Sequence, residues 1–286
     1  MSFLQTVSLG ALAGFTIYLG LPLARLRSMS DRTRVGLAML SVGVLAFLLV
    51  DVMSHATAIL EGSVSRMHDH TGGFGPVALR GALLAAGFGA GTAGLAVLER
   101  VIRPRGPVTP PIAGGATAAL GPAQAQTVAL QADAARRGAL ATGLAVATAI
   151  GVHNFAEGLA IGVSAKAGEI SLATILIIGF ALHNATEGFG IIGPLGNVRP
   201  SWRWLGLAGL IGGGPVFLGS MIGYNVTSEP LELAFYSLAG GAILYVIGQV
   251  WHGMRRYGHR EFGLAVLSLG FLLAVATDMV VAYGGG

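Results

Sequence analysis

Residues 138–193 read GALATGLAVATAIGVHNFAEGLAIGVSAKAGEISLATILIIGFALHNATEGFGIIG and contain one hexapeptide pattern twice. The copies are His153-Asn154-Phe155-Ala156-Glu157-Gly158 and His183-Asn184-Ala185-Thr186-Glu187-Gly188. Each lies inside an apolar stretch of the length that crosses a bilayer, about twenty residues. Ionisable side chains at membrane depth are costly and mark functional sites by default.

Residues four apart in a helix lie nearly above one another, separated by about 6 Å of rise. His153 and Glu157 therefore share a face, with Asn154 beside them, and His183, Glu187 and Asn184 repeat the arrangement. The connection around Ala167-Gly168 is only a few residues long, so the two helices are expected to be antiparallel neighbours. Both motifs then sit near mid-membrane and converge. Between Arg137 and Arg199 the only basic side chain is Lys166, at a span end. Two ionised glutamates in low dielectric require protons or a bound divalent cation to neutralise them. Neutral imidazole with carboxylate suits Zn²⁺, Fe²⁺ or Mn²⁺, and the amide oxygens of Asn154 and Asn184 are available to complete a shell. Gly158 and Gly188 read as packing residues.

The composition agrees with a membrane chain. The 286 residues are 53% hydrophobic and only 10% charged, with a mean hydropathy of +0.73. Soluble domains carry about a quarter charged residues. The expected class is all-α: a polytopic bundle of eight transmembrane helices forming a single transporter domain over residues 1–286. The spans fall at about 4–24, 35–60, 76–99, 138–164, 170–193, 203–225, 231–252 and 262–283. A Pro/Ala/Gln-rich segment at about 104–135 reads as a flexible cytoplasmic linker. The first span lacks a cleavage site followed by a polar mature domain and reads as a retained helix. With no cysteine, any metal is held by nitrogen and oxygen. The 46 glycines are scattered through apolar runs and form no phosphate-binding loop.

If the chain alternates across the membrane, all but Arg66, Arg80 and Lys166 of its 17 Lys and Arg residues fall on one side. Glu61, Asp69, Glu169, Glu229 and Glu232 lie with those three on the other. The positive-inside rule then puts both termini outside the cytoplasm. The pI of about 9.8 therefore reflects topology, and nucleic acid is not an expected partner.

The paired motif resembles that of the zinc–iron permease (ZIP) family of metal importers, in which a His-Asn-x-Pro-Glu-Gly signature in span four is followed by a His/Gln-x-x-x-Glu motif in span five. The resemblance implies eight spans, external termini and a primary metal site at His153, Glu157, His183 and Glu187. Asn154 and Asn184 with the two glutamates would line an adjacent second site. It also implies a bundle, commonly dimeric, in which spans one, four, five and six move against two, three, seven and eight. The chain departs from the family pattern at three places. Ala156 replaces proline, which weakens the expected kink. Gly212-Gly213-Gly214-Pro215 stands where relatives carry a further Glu ligand, and a broken, mobile helix is expected there. Gln249-Val250-Trp251-His252 replaces the His-Glu of span seven, with His252 as the substitute at an exit-side site and Gln249 as a further pathway candidate.

Further pathway candidates are Asp51 and His55, four apart on span two, and Asp278, towards the outer half of span eight. His68-Asp69-His70 forms an outer loop in which His68 and His70 have metal-ligand chemistry but no rigid scaffold. The dispersed methionines read as packing. The functional expectation is transport of a divalent transition metal into the cytoplasm across the cell membrane, Zn²⁺ first, with Fe²⁺, Mn²⁺ and Cd²⁺ tolerated by the same ligands and no catalytic cofactor. The alternatives are an intramembrane zinc-dependent hydrolase, which lacks a His-Glu-x-x-His pairing, and a proton- or cation-coupled carrier of an organic solute.

Overall fold

The computed structural model describes residues 1–26, 29–102, 121–168, 170–225 and 228–283. Among these residues the chain is all helical, with no strand. Helix α1 (Phe3–Phe15) continues through two 3₁₀ turns to Arg25. Helix α2 is Asp31–His68. Helices α3 (Phe74–Gly89) and α4 (Leu95–Ile102) form one rod joined by a π turn at Ala90–Gly94. Helices α5 (Pro122–Ala167), α6 (Ile170–Ile192), α7 (Trp202–Asn225), α8 (Glu229–Met254) and α9 (Arg260–Tyr283) follow.

Local chemistry sets several of these ends. The Ser2 hydroxyl accepts from the Gln5 amide while the Gln5 side chain accepts from the Ser2 amide, a capping box for α1. The Ser30 hydroxyl accepts from the Thr33 amide at the start of α2. Helix α5 stops at Gly168, whose φ of 86° is the left-handed conformation that glycine adopts freely. That turn sends α6 back along α5.

Seven helices among the described residues are long and apolar enough to cross a membrane: Phe3–Arg25, Asp31–His68, Phe74–Val101, Gln124–Ala167, Trp202–Asn225, Glu229–Tyr257 and Arg260–Val280. This is consistent with an integral, multi-pass membrane protein. The first turns of α6 carry side chains outside the described residues, so that 23-residue helix is not among the seven.

Glycine lets the helices approach until backbones touch. A Cβ on Gly158 of α5 would run into the Val216 carbonyl of α7, and one on Gly219 of α7 into the Phe155 carbonyl of α5. Gly14 and Gly213 face each other in the same reciprocal way where α1 crosses α7. Gly91 and Gly241 do so for the π turn and α8, while Gly43 of α2 abuts the Leu267 carbonyl and Gly270 of α9 the Leu40 carbonyl. These are the small-residue contacts by which membrane helices associate.

Two sequence expectations change. Residues 122–135 of the expected linker are the first turns of α5, a 46-residue helix. Alanine and glutamine are strong helix formers, and the Gln124 side chain accepts from the Gly121 amide to cap the start. The rest of the linker lies outside the described residues. Gly212-Gly213-Gly214-Pro215 is not broken: α7 runs through it with Pro215 inside. Tight packing on α1 and α5 holds the glycines in helix, since Gly213 abuts Gly14 and Gly212 faces Ile17.

At the arginine-rich end, arginines do more than set charge. Arg34 donates to the Gly196 carbonyl and to Asn197, Arg25 donates to Pro200 and Arg256 to Pro194, clamping the turn after α6. At the opposite end Arg80 pairs with Glu229 at 2.6 Å, and Arg66 lies 3.7 Å from the same carboxylate.

The backbone contacts predict opposite outcomes for one substitution. Gly158→Ala should destabilise by about 1–3 kcal/mol through overpacking. Gly206→Ala, on an open face of α7 with no atom within 4 Å of the added methyl, should stabilise by about 0.5–1 kcal/mol. Thermal unfolding of the purified variants reads both signs.

Candidate metal centre

The antiparallel α5–α6 pair brings the two motifs together. His153, Asn154, Glu157, Asn184 and Glu187 are all buried, and the His183 side chain is 12% exposed. His153, Glu157 and Glu187 each offer a ligand atom, and those atoms lie within 4.8 Å of one another. The His153 Nε2 to Glu157 Oε1 distance is 3.1 Å, and His153 Nε2 to Glu187 Oε1 is 3.8 Å. Ligands on one tetrahedral zinc with bonds of about 2.0–2.1 Å stand about 3.3 Å apart, so the observed pair of distances straddles that spacing.

The hydrogen bonding supports a shared ion. Neither His153 nitrogen has a hydrogen-bond partner, and Glu187 Oε1 has none. The 3.1 Å approach to Glu157 Oε1 is therefore close but not aligned for a hydrogen bond. Leaving a buried polar atom unpaired costs about 1–3 kcal/mol, and a cation at the meeting point would satisfy both. Among the described residues, no Lys or Arg lines the cavity on which His153, Glu157 and His183 open.

The two asparagines hold the acids in a reciprocal pattern. Asn154 Nδ2 on α5 donates to Glu187 Oε2 (3.1 Å) and to the Gly212 carbonyl of α7 (3.0 Å). Asn184 Nδ2 on α6 donates to Glu157 Oε2 (3.4 Å) and to the Ala13 carbonyl of α1 (3.3 Å). Each amide thus ties the opposite helix's carboxylate to a neighbouring backbone, and both amide oxygens stay buried without a partner. His183 differs from its counterpart. Its Nε2 lies 2.6 Å from Glu157 Oε1, a hydrogen-bond distance shorter than the spacing of co-ligands, and it is outside the three-residue cluster. In this arrangement it orients Glu157.

A cavity of about 380 Å³ leads from His153, Glu157 and His183 past Asp51 and His55 to Asp278 and Glu232 near the arginine-poor end. The sequence candidates Asp51, His55 and Asp278 thus share one cavity with the central site. His55 Nδ1 sits 3.8 Å from Asp51 Oδ1. Ala156 lines the same cavity within an unbroken α5, so no proline kink shapes this wall. His68 and His70 are exposed at the end of α2 and do not join it.

Towards the arginine-rich end, Gln249 meets an acid that the sequence reading did not single out. Glu99 of α4 is buried and accepts from Thr142 of α5 (3.2 Å), Tyr245 (2.8 Å) and Gln249 (2.5 Å) of α8. His252, by contrast, is exposed and makes no hydrogen bond or ion pair among the described residues. Glu99 was hidden because an acid beside Arg100 at a span end reads as solvated. Glu232 and Tyr236 were missed as cavity lining for a similar reason, since the first turn of α8 also looks terminal. No protein-family model matches the chain, and no curated protein matches it.

Zn²⁺ affinity of the purified protein, measured by calorimetry, should fall more than tenfold in Glu187→Gln and stay unchanged in His68→Ala with His70→Ala. Imidazole and carboxylate bind metal only when deprotonated, so affinity should fall as the pH is lowered from about 7.5 to about 5.5. A pH-independent affinity over that interval would rule out His153 as a ligand.

Proposed function

We propose that the chain is a transporter of divalent transition metal ions, Zn²⁺ first, and a member of the zinc–iron permease family that its paired motif resembles. The observation that carries this reading is the one-sided cavity ending on His153, Glu157 and His183, with Glu187 behind them. A lone structural polar cluster needs no such access, and a route that stops at a buried ligand set suits a loaded carrier.

In this reading the chain has eight spans, α6 included, with both termini outside and the arginine-rich end in the cytoplasm. The ion enters from the arginine-poor end, attracted by Asp278, Glu232 and Asp51, and exchanges water for His153, Glu157 and Glu187. His183 holds Glu157 in place, and the asparagine amide oxygens are spare donors for the same ion or a neighbouring one. Release inward requires the site to open towards the arginine-rich end, where the buried core and the Glu99 network lie. The Thr142–Glu99 hydrogen bond joins α5 to α4, so it breaks if α1, α5, α6 and α7 move against the remaining helices. The chain is a carrier and not an enzyme in this reading.

The test is metal flux into proteoliposomes of defined orientation. Wild type should move Zn²⁺, and Glu157→Ala with Glu187→Ala should reduce the rate by about a hundredfold or more, since two charges that hold the ion are gone. Unchanged flux in the double variant would refute the assignment. Zn²⁺-dependent turnover of a lipid or peptide without flux would favour a hydrolase instead.

A further inference from the structure

We propose that the pocket between the α8–α9 turn and the start of α2 binds an anionic phospholipid, headgroup at its rim and acyl chain along its floor. The pocket encloses about 420 Å³. Its walls are apolar, from Val35 and Met39 of α2 and from Leu264 of α9. Its rim carries Trp251, Arg255, His259 and Arg260. It lies at the arginine-rich ends of helices long and apolar enough to cross a membrane, which is the depth of the lipid headgroups, where tryptophan concentrates.

Both rim arginines are uncommitted among the described residues, unlike several of their neighbours at this end. Arg25, Arg34 and Arg256 are spent on carbonyls of the turn after α6, and Arg32 stacks over Phe262 at 4.6 Å. Arg255 and Arg260 are exposed and form no ion pair among the described residues. The nearby acids Asp31 and Glu261 are exposed and do not line the pocket.

The backbone fixes the rim. Gly258 and His259 are both left-handed, with φ of 69° and 54°. A non-glycine residue in that region is uncommon and points to an imposed conformation. The Gly263 amide donates to the His259 carbonyl at 2.8 Å, seating the turn on α9. Two guanidinium groups and an imidazole facing one opening match a phosphate with its flanking oxygens. An apolar floor adds nothing for a free anion, whereas it accommodates the first carbons of an acyl chain. Basic pockets between helices on the cytoplasmic side are a recurring way to hold anionic headgroups. The inference rests on the membrane placement and not on metal transport.

Native mass spectrometry of the full-length protein, titrated with phosphatidylglycerol or with phosphatidylcholine of the same chains, tests it. Phosphatidylglycerol should give a first adduct about tenfold tighter than phosphatidylcholine. Arg255→Gln with Arg260→Gln should weaken that adduct about tenfold, and so should Leu264→Trp, which keeps every charge but fills the floor. The charge-matched control Arg100→Gln with Arg136→Gln should leave it within about twofold. The proposal is overturned if the control weakens binding as much, if phosphatidylcholine binds equally, or if neither pocket variant matters. Displacement by millimolar inorganic phosphate would overturn it too, in favour of a free-anion site.

Discussion

Two buried carboxylates, with no Lys or Arg among the described residues that line their cavity, organise this molecule. Glu157 and Glu187 are enclosed at the centre of an apolar bundle, where an unpaired charge is costly. The surrounding structure answers that constraint with amides and imidazoles in place of cations. Asn154 and Asn184 each hold the opposite helix's glutamate and also reach a backbone carbonyl of α7 or α1. That arrangement needs four helices close together, and the glycine contacts at Gly158–Val216 and Gly14–Gly213 supply the closeness. Packing and chemistry are therefore one design: the small residues that draw α1, α5 and α7 together also position the carbonyls that anchor the asparagines.

The constraint also explains the asymmetry of the two copies. Both have the same key residues at the same spacing and both line the cavity, yet His153 has both nitrogens unpaired, while His183 bonds Glu157. One imidazole is left unpaired and the other is hydrogen-bonded to a glutamate. Three acids further out, Asp51, Glu232 and Asp278, continue the negative lining towards the arginine-poor end. The basic residues of that end are engaged elsewhere, Arg80 and Arg66 on Glu229 and Lys166 over the Tyr224 ring.

The central pairing was legible in the sequence because helix periodicity and a short connection leave little freedom: four-residue spacing sets the face, and Gly168 sets the antiparallel return. Asp51, His55 and Asp278, read as pathway candidates, line one cavity, and their relative depth was legible from residue count along a span. What escaped were contacts between helices distant in sequence. Glu99 lies 150 positions from Gln249, and no local pattern marks an end-of-span acid as buried. The different hydrogen bonding of His153 and His183 escaped as well, because identical motifs give no sign of which neighbours each will meet. The Gly-Gly-Gly-Pro segment misled in the other direction: glycine reads as a helix breaker, but here it serves close packing, and propensity gives way to tertiary contact.

The most direct test of the central claim is X-ray absorption at the zinc edge on the purified, zinc-loaded protein. The account predicts a nitrogen/oxygen shell at about 2.0–2.1 Å with outer-shell scattering from an imidazole, and loss of that imidazole signal in His153→Ala but not in His55→Ala. A spectrum of hydrated zinc, or an imidazole signal that survives His153→Ala, would contradict it.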